Sequence, residues 1–553
     1  MLIIGTITLV LLITLTRNKE IFTRILIGTL IYSTYLSYNT FIGTEISRSE
    51  NIGIFGGLFH KNNLITTIEI SIIILAILLI TFLFSDEENG PEYTIILSFS
   101  ILGMITLIES YDLISTFLAI ELQSLSLYII TTIWKREATA AGLKYYLLGS
   151  LSSAILLAGL VLIYFITGIT HYDGLASVIS VTSENLNFKS ILVTEISTIS
   201  FLTILSTVLI MVGLLFKMGA APFHHWAPDV YDSVPTIVTS WIAIMGKVSI
   251  LTFILILQFI IDKDLITLNS YYLTIFAISA ILCLIIGSVQ GLISYRIKRL
   301  LTYSSISHLG FMLLAIINSN CFRVSAFLFY MFQYWLSTVT SFGILIFLSR
   351  FHYKNYDLES TASFKGLLKL NPVITLALII NFFSLTGIPP LIGFFGKQMI
   401  FYTSLLNGYY LITTIAILTS VITAAYYLRI IKTAAFPELQ LFDSKNYLNT
   451  PESKSHSKIS SVALSKYQSS EAQSETLNLR RGNLNLFKQT ELMEIKNNKI
   501  EIKQDIYLKM KNYNSSLSIL SWIISVISLI TVLFFINPTI ILNLTNLLAL
   551  TFR

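Results

Sequence analysis

The sequence predicts an all-α membrane protein that crosses the bilayer about fourteen times. Hydrophobic residues make up 54% of the 553 residues and charged residues only 12%, about half the charged share of a typical soluble domain. The mean hydropathy is +0.76, and Ile- and Leu-rich runs long enough to cross a bilayer recur along the chain. These runs lack the period-two alternation of a membrane β-barrel. A large soluble enzyme and a barrel are therefore both excluded.

Fourteen apolar runs are candidates for transmembrane helices. In chain order they are 2–16, 21–43, 64–84, 94–110, 112–134, 144–168, 197–221, 234–261, 271–293, 298–317, 324–349, 371–388 with a continuation near 396–407, 408–432, and 515–537. A further apolar stretch at 539–551 is expected to lie in the membrane interface. Basic residues gather mainly in the loops that leave odd-numbered runs, although the acidic segment 86–92 is an exception. The positive-inside rule places these loops on the cytoplasmic side or its organellar equivalent.

The apolar runs divide the chain into five regions. We expect an N-terminal three-helix region at 1–93, five-helix units at 94–261 and 271–432, a polar insertion at 437–514, and a C-terminal helix and tail at 515–553. The insertion is rich in Ser, Asn, Lys, Glu and Gln, a composition typical of loosely ordered segments. It either contacts a neighbouring protein or is a tolerated insertion without a role.

The two five-helix units predict an inverted repeat. Each unit crosses the membrane an odd number of times, so consecutive copies enter from opposite faces, as in many transporters. Each unit also contains an interrupted helix. The first interruption lies at 217–222 and ends on Pro222, and the second lies at 387–390 and ends on Pro389 and Pro390. Broken helices are tolerated inside a bilayer only where protein or water satisfies the freed backbone groups.

Four ionisable residues lie inside the predicted spans, away from any sequence-local partner. Glu121 is in the fifth span, Lys217 beside the first interruption, Lys247 in the eighth span, and Lys397 just after the second interruption. Such a residue costs roughly 2.5–3.5 kcal/mol on insertion scales. The charges either pair across helices, as Glu121 with Lys217, or line a wet proton path. One acid cannot neutralise three lysines, so pairing alone leaves two of them unexplained.

Three histidines and a serine are candidates to support that path. His224 and His225 follow the first interruption, and His308 and Ser305 lie in the tenth span. Histidine titrates near neutrality, although any of these side chains can instead bond to the backbone. No metal site is predicted, because adjacent histidines do not share a helix face and no Cys or carboxylate stands at ligand spacing. The two cysteines, one of them Cys283, cannot hold an iron–sulfur cluster.

Five motifs carry a resemblance to a known family. They are "FLAIELQSLSLY" around Glu121, "AGLKYYLLGSLSSA" from Ala141, "FKMGAAPFHHWAPDVY" from Phe216, "KRLLTYSSISHLGFML" from Lys298, and "FSLTGIPPLIGFFGKQ" from Phe383. Together they resemble the antiporter-like membrane subunits of respiratory complex I, over about residues 94–432. The stretch from Phe216 is highly specific, whereas a single membrane glutamate is not.

The resemblance implies a proton-translocating, non-redox subunit of NADH:ubiquinone oxidoreductase. It implies that Glu121 pairs with Lys217, that Lys247 continues the path, and that Lys397 serves the outlet half. This chain would bind no cofactor, with NADH, FMN, iron–sulfur clusters and ubiquinone on partner subunits. The partners would be other membrane subunits, including further antiporter-like ones, and phospholipids, with no nucleic acid.

The same resemblance, together with an Ile/Asn/Lys/Tyr bias typical of AT-rich organellar genes, implies a multi-pass protein of a fungal mitochondrial inner membrane. Two other interpretations remain open at the level of sequence. One is a stand-alone or multi-subunit cation/proton antiporter. The other is a membrane scaffold whose charges only hold helices together.

Overall fold

The computed structural model describes most of the chain. The described residues are 1–15, 19–47, 52–83, 90–133, 136–185, 193–264, 266–318, 322–352, 360–436 and 520–551. Within them, 10 helices are long and apolar enough to cross a membrane, and further apolar helices are shorter. The polytopic α-helical fold is therefore confirmed, while fourteen crossings remain a prediction. The polar insertion at 437–514 and Cys321 lie outside the described residues.

The helices follow the predicted runs closely. In chain order they are α1 (Leu2–Leu12), α2 (Lys19–Ser47), α3 (Asn63–Leu83), α4 (Pro91–Glu109), α5 (Leu113–Thr132), α6 (Arg136–Thr167), α7 (Tyr172–Asn185), α8 (Val193–Met218), α9 (Trp226–Ser233), α10 (Thr236–Asp264), α11 (Ile266–Ile293), α12 (Ile297–Ile317), α13 (Arg323–His352), α14 (Leu367–Leu370), α15 (Pro372–Thr386), α16 (Ile392–Leu406), α17 (Tyr410–Ala435), α18 (Leu520–Leu533) and α19 (Thr539–Thr551). A 3₁₀ turn, Thr361–Phe364, precedes α14.

Several short elements fill segments that the hydropathy pattern left as loops. The strands β1 (Ile52–Ile54) and β2 (Phe59–Lys61) form an antiparallel hairpin between α2 and α3. The helices α7, α9 and α14 are likewise additions to the predicted spans. The helix α6 begins at Arg136, before the apolar run at 144–168, because a helix can continue past the bilayer boundary.

Some helices are enclosed by protein and others face outward. Nearly every residue of α12 is buried, as is the described part of α10. By contrast, α6 and α17 leave large apolar side chains exposed, including Phe165 and Val421. A helix that is apolar on all sides lies in a core or against lipid. Lys247 on α10 and His308 on α12 are therefore inside the bundle.

Both predicted interruptions are present. The helix α8 ends at Met218 and is followed by Gly219 at φ +70°, and α15 ends at Thr386 and is followed by Gly387 at φ +85°. A left-handed residue after the last helical turn is most easily supplied by glycine. The prolines that follow cannot continue a helix. Local chemistry thus sets both breaks.

The first break is satisfied by groups from elsewhere in the chain. The indole Nε1 of Trp226 donates to the carbonyl oxygen of Phe216 at 3.1 Å, and the amide of Ala221 donates to Sγ of Cys283 at 3.0 Å. Trp226 also stacks on Tyr145 of α6, with ring centroids 4.4 Å apart. The freed backbone is therefore held by protein, as an interior break requires.

The C-terminal helices are held by an aromatic core. Phe534 packs with Phe329 of α13 and Ile392 of α16. Its ring centroid lies 5.7 Å from that of Phe329 and 5.4 Å from that of Phe395. Packing of these rings therefore fixes the end of α18 against α13 and α16.

Ion pairs close the end of the bundle where the basic loops gather. Asp232 of α9 accepts from Nη1 of Arg296 at 2.6 Å and from Nε of Arg299 at 2.9 Å. Asp229 of α9 pairs with Lys144 of α6. The short helix α9 is thereby tied to α6 and α12.

A second ionic cluster lies around the hairpin. Nζ of Lys61 is 3.3 Å from Oε2 of Glu69 and 2.8 Å from Oε1 of Glu109. Burial by itself would lower the pKa of Lys61, but the two carboxylates together raise it above its ordinary value. The lysine therefore stays charged at neutral pH and joins β2, α3 and α4. The sequence did not predict this contact.

Aromatic and polar contacts extend the same cluster. The rings of His60 and Tyr111 stack with centroids 3.9 Å apart, and Oη of Tyr111 donates to Asp173 at 2.6 Å. Burial, followed by the bond to Asp173, raises the pKa of Tyr111. Burial also lowers the pKa of His60, so this imidazole is neutral at pH 7 and stacks as an uncharged ring.

We expect Lys61→Met to destabilise the protein by on the order of 3 kcal/mol, because it leaves two carboxylates close together and poorly solvated. Thermal unfolding of the purified protein measures the change. Replacing Glu69 by Gln in the same variant should recover part of the loss. The matched control is Arg24→Met, which removes a fully solvated pair with Glu20 and should leave stability unchanged. An equal loss of stability in Lys61→Met and Arg24→Met would contradict the role given to Lys61.

Candidate functional site

The first part of the site joins α5 to the end of α8. Nζ of Lys217 lies 3.3 Å from Oε1 of Glu121 and donates to Oη of Tyr128 at 3.2 Å. The lysine side chain is 5% exposed and the glutamate 23%. The predicted pair is therefore formed, with its carboxylate at the more accessible end. Tyr128 was missed, although it lies seven residues after Glu121 and so on the same helix face.

The second lysine is enclosed by neutral groups. Nζ of Lys247 on α10 donates to Oγ of Ser305 on α12 at 2.7 Å and lies 5.6 Å from the ring centroid of Tyr231. Ser305 in turn donates to the carbonyl oxygen of Thr302. Among the described residues, no carboxylate lies within ion-pair distance of Lys247. Ser305 thus contacts Lys247 and is also bonded to its own helix, while its role in a proton path stays a prediction.

A cavity of about 20 Å³ lies between the first two lysines. Lys217 and Lys247 both line it, together with Gln123 and Ser124. A cavity needs roughly 10–15 Å³ of such volume, and polar partners, to hold one water molecule. There is thus room for one water, with hydrogen-bonding groups at hand, between the two amines.

His308 lies at the centre of the bundle, between α10 and the second break. Its Nδ1 is 2.7 Å from Oη of Tyr330 and its Nε2 is 3.4 Å from Oη of Tyr427. An imidazole that contacts two hydroxyls can accept a proton on one nitrogen and release one from the other.

Lys397 lies beside the second break, as predicted. Its Nζ donates to the carbonyl oxygen of Thr386, at the end of α15, at 2.8 Å. It also lies 5.5 Å from the ring centroid of Phe311 on α12. Among the described residues, it too has no carboxylate in ion-pair distance. The break therefore supplies the backbone acceptor that the buried ammonium group requires.

The other two predicted histidines lie apart from this row. The rings of His224 and His225 contact each other, with centroids 4.5 Å apart. His225 is exposed at the start of α9, and Nδ1 of His224 is buried without a hydrogen-bond partner in the described part of the chain. The expectation that they bridge two lysines therefore stays a prediction.

The fold and site define a class: a multi-pass membrane bundle with two broken helices, each beside a buried lysine. The chain belongs to the NADH:quinone oxidoreductase/Mrp antiporter family, whose transmembrane model matches residues 110–423. This confirms the family resemblance expected from the five motifs.

Two relatives show which members of the family this chain is similar to. The chain is 42% identical to NADH-ubiquinone oxidoreductase chain 2 of Rhizopus oryzae, over 82% of this chain and 88% of the relative. It is 34% identical to NADH-quinone oxidoreductase subunit N of Ruthia magnifica, over 70% and 77% respectively. The resemblance of the motifs to chain 2, and to a fungal protein, is thereby confirmed.

Solved structures share the fold. A chain of respiratory complex I from Thermus thermophilus aligns with a TM-score of 0.67 at 21% identity, covering 98% of this chain and 97% of that one. A chain of the Mrp complex from Dietzia aligns with a TM-score of 0.73 at 17% identity, covering 99% and 95%. Identities this low establish the common architecture.

We expect Gly387→Ala to be more destabilising than Gly408→Ala. Both glycines have left-handed backbone angles, of +85° and +80°, so a side chain costs each about 1–2 kcal/mol. A Cβ at Gly387 would also lie 3.0 Å from Cδ of Lys397, whereas one at Gly408 would meet nothing within 4 Å. Thermal unfolding of the two variants measures the difference. An equal loss in both would show that Lys397 is not held against the break.

Proposed function

We propose that this chain is a proton-translocating membrane subunit of an NADH:ubiquinone oxidoreductase of the mitochondrial inner membrane. The row formed by Glu121, Lys217, Lys247, His308 and Lys397 carries the proposal. Glu121 contacts Lys217 directly, and Lys217 and Lys247 line the same cavity. Lys247 donates to Ser305, three residues before His308 on α12, and Lys397 lies beside the second break. The relatives are named as subunits of such oxidoreductases, which supports the same assignment.

The first proton transfer starts when the contact between Glu121 and Lys217 changes. A carboxylate at 3.3 Å stabilises the charged form of the ammonium group. When the carboxylate withdraws, the desolvated ammonium loses that stabilisation and passes a proton into the adjoining cavity. Water there carries it to Lys247, whose amine also lines the cavity. Glu121, the more exposed partner, is the group that is free to move.

The second transfer runs from Lys247 towards Lys397. Ser305 accepts a hydrogen bond from Lys247, and His308 lies three residues further along α12. A neutral imidazole can accept a proton on one nitrogen while the other nitrogen releases one. The hydroxyls of Tyr330 and Tyr427 on its two nitrogens orient the ring. Lys397 then holds the proton for the outlet half.

The energy for this movement comes from outside the chain. Moving one charge against 100 mV costs about 2.3 kcal/mol, which is within the range of one change in a buried ion pair. Redox chemistry with NADH, FMN, iron–sulfur clusters and ubiquinone is assigned to partner subunits, so this chain acts as a non-redox part of the enzyme. Other antiporter-like membrane subunits and phospholipids are its proposed neighbours.

The proposed mechanism also gives a role to each region of the chain. The units 94–261 and 271–432 are the two inverted halves, each with one break and one lysine beside it. Lys217 and its break serve the first half, and Lys397 and its break serve the second. The regions 1–93 and 515–553 flank them.

We expect Lys217→Ala, Lys247→Ala and Glu121→Gln each to lower proton flux per NADH about tenfold or more, because a positioned proton-transfer group typically contributes roughly a hundredfold to a rate. Pumping by the assembled complex in sealed vesicles measures this flux. The control is Lys432→Ala, which removes an exposed lysine at the end of α17 and should pump normally.

Each alternative gives a different result. Full pumping by assembled Lys217→Ala would overturn the relay. A second outcome is that all three variants assemble poorly while the small amount of complex that forms pumps normally. That outcome would show that the charges only hold the helices together. Purification in a small assembly without flavin or iron–sulfur proteins, with sodium-dependent proton flux, would identify a cation/proton antiporter.

A further inference from the structure

A second polar cluster lies beside the break that holds Lys397. Gln333 and Ser337 lie four residues apart on α13, on the same helix face. Asn381 and Ser384 lie three residues apart on α15 and share a face in the same way. Gln333, Ser337 and Ser384 are fully buried, and Asn381 is 2% exposed. Sequence patterning did not predict this cluster, because none of its members is charged.

The side chains of the cluster have unmet hydrogen-bonding capacity. In the described part of the chain, Nε2 and Oε1 of Gln333, Oγ of Ser337, Oδ1 of Asn381 and Oγ of Ser384 have no hydrogen-bond partner. A buried polar group left this way costs about 1–3 kcal/mol. Five such atoms in one place are costly for a marginally stable fold, which points to a bound molecule that satisfies them.

The two serines depart from the usual behaviour of serine in this protein. A helical serine can satisfy its hydroxyl by donating to a carbonyl in the preceding turn. Ser304 and Ser307 of α12 do so, at 2.8 and 2.7 Å. Oγ of Ser337 and Oγ of Ser384 make no such bond among the described residues. Their hydroxyls are therefore available to something between the helices.

Contacts along α16 show that the cluster is compact. A Cβ at Gly393 would collide with the carbonyl oxygen of Ser384 and lie 3.0 Å from Nε2 of Gln333. A Cβ at Gly396 would collide with Oε1 of Gln333. The glutamine amide thus lies against the glycine face of α16, next to Ser384. Asn381 completes the group, since its Nδ2 donates to the carbonyl oxygen of Ser337 at 3.0 Å.

The chemistry of the unmet groups favours water over a metal cation. Gln333 offers both a donor and an acceptor, Asn381 offers an acceptor, and the two hydroxyls can do either. A sodium ion binds oxygen only and would leave Nε2 of Gln333 unsatisfied, and no carboxylate belongs to the set. Water both donates and accepts, and typically makes two to four hydrogen bonds when buried.

We propose that Gln333, Ser337, Asn381 and Ser384 form a water-binding site between α13, α15 and α16, and that its water is a link by which protons reach or leave Lys397. The second clause rests on the proposed function. Ser384 lies two residues before Thr386, which accepts from Lys397, and Gly396 precedes Lys397.

The proposed site also lies close to Tyr330, the partner of His308. Tyr330 lies three residues before Gln333 on α13, and a Cβ at Gly396 would lie 3.2 Å from Cδ2 of Tyr330. Oη of Tyr330 is hydrogen-bonded to His308. The proposed site therefore adjoins both Tyr330, which contacts His308, and the break that holds Lys397.

A high-resolution cryo-EM map of the intact complex tests the binding site itself. Density for ordered water is expected within about 3.2 Å of the Gln333 amide and of Oδ1 of Asn381. A map in which these groups bond to each other or to main chain, with no density between them, would overturn the site. This result does not depend on pumping.

A pair of matched variants tests the link. Gln333→Leu removes two of the unmet groups and should lower proton flux per NADH about tenfold in the assembled complex. Gln258→Leu removes another buried glutamine, on α10 and outside the site, and should pump normally. If Gln333→Leu does not assemble, Ser384→Ala removes a single hydroxyl and should lower flux in the same direction.

The outcomes separate this inference from the proposed function. Normal flux in assembled Gln333→Leu or Ser384→Ala, with flux lost in Lys217→Ala, would overturn the link and keep the relay. Normal flux in Lys217→Ala would overturn the relay itself. Flux that depends on sodium in the wild type, and loses that dependence in Gln333→Leu, would assign the site to a cation and overturn the assignment to water.

Discussion

The structure depends on keeping ammonium groups inside a bundle that lies in lipid. An isolated charge there is expensive, so each lysine requires a partner. The three partners differ: a carboxylate for Lys217, a hydroxyl for Lys247 and a backbone carbonyl for Lys397. A carboxylate, a hydroxyl and a carbonyl stabilise the charged form of a lysine to different extents. Differences of this kind allow a proton to be held at one place and released at the next.

The two breaks provide what intact helices cannot. In an unbroken helix the carbonyl of one residue is used by the amide four residues later. Where α15 ends, the carbonyl of Thr386 is free to accept from Lys397. Where α8 ends, the backbone is satisfied by Trp226 and Cys283 instead. At both breaks, side chains therefore form hydrogen bonds to backbone groups that the helix leaves unpaired.

Charge is distributed differently at the ends of the bundle and in its interior. At the ends, Asp232 and Lys61 each join oppositely charged partners from separate elements, and such contacts hold helices in place. In the interior, beyond the Glu121–Lys217 pair, the described contacts of the row are to hydroxyls, a carbonyl and aromatic rings. Neutral partners can exchange bonds without leaving a bare charge behind. The rigid ends and the adaptable interior thus follow from one distribution of charge.

The sequence by itself determined the long helices, the two breaks and the positions of the four buried charges, because hydropathy, glycine followed by proline, and an ionisable residue in an apolar run are local signals. The family resemblance added the contact between Glu121 and Lys217, which the structure contains. The tertiary structure decided the rest. It placed Ser305 on Lys247, brought Asn381 to Ser337, and joined Lys61 to Glu109. It also decided that α10 is enclosed while α6 faces outward, since apolar surface has the same composition against lipid as against another helix. Those choices depend on contacts between residues far apart in the chain, which no local pattern encodes.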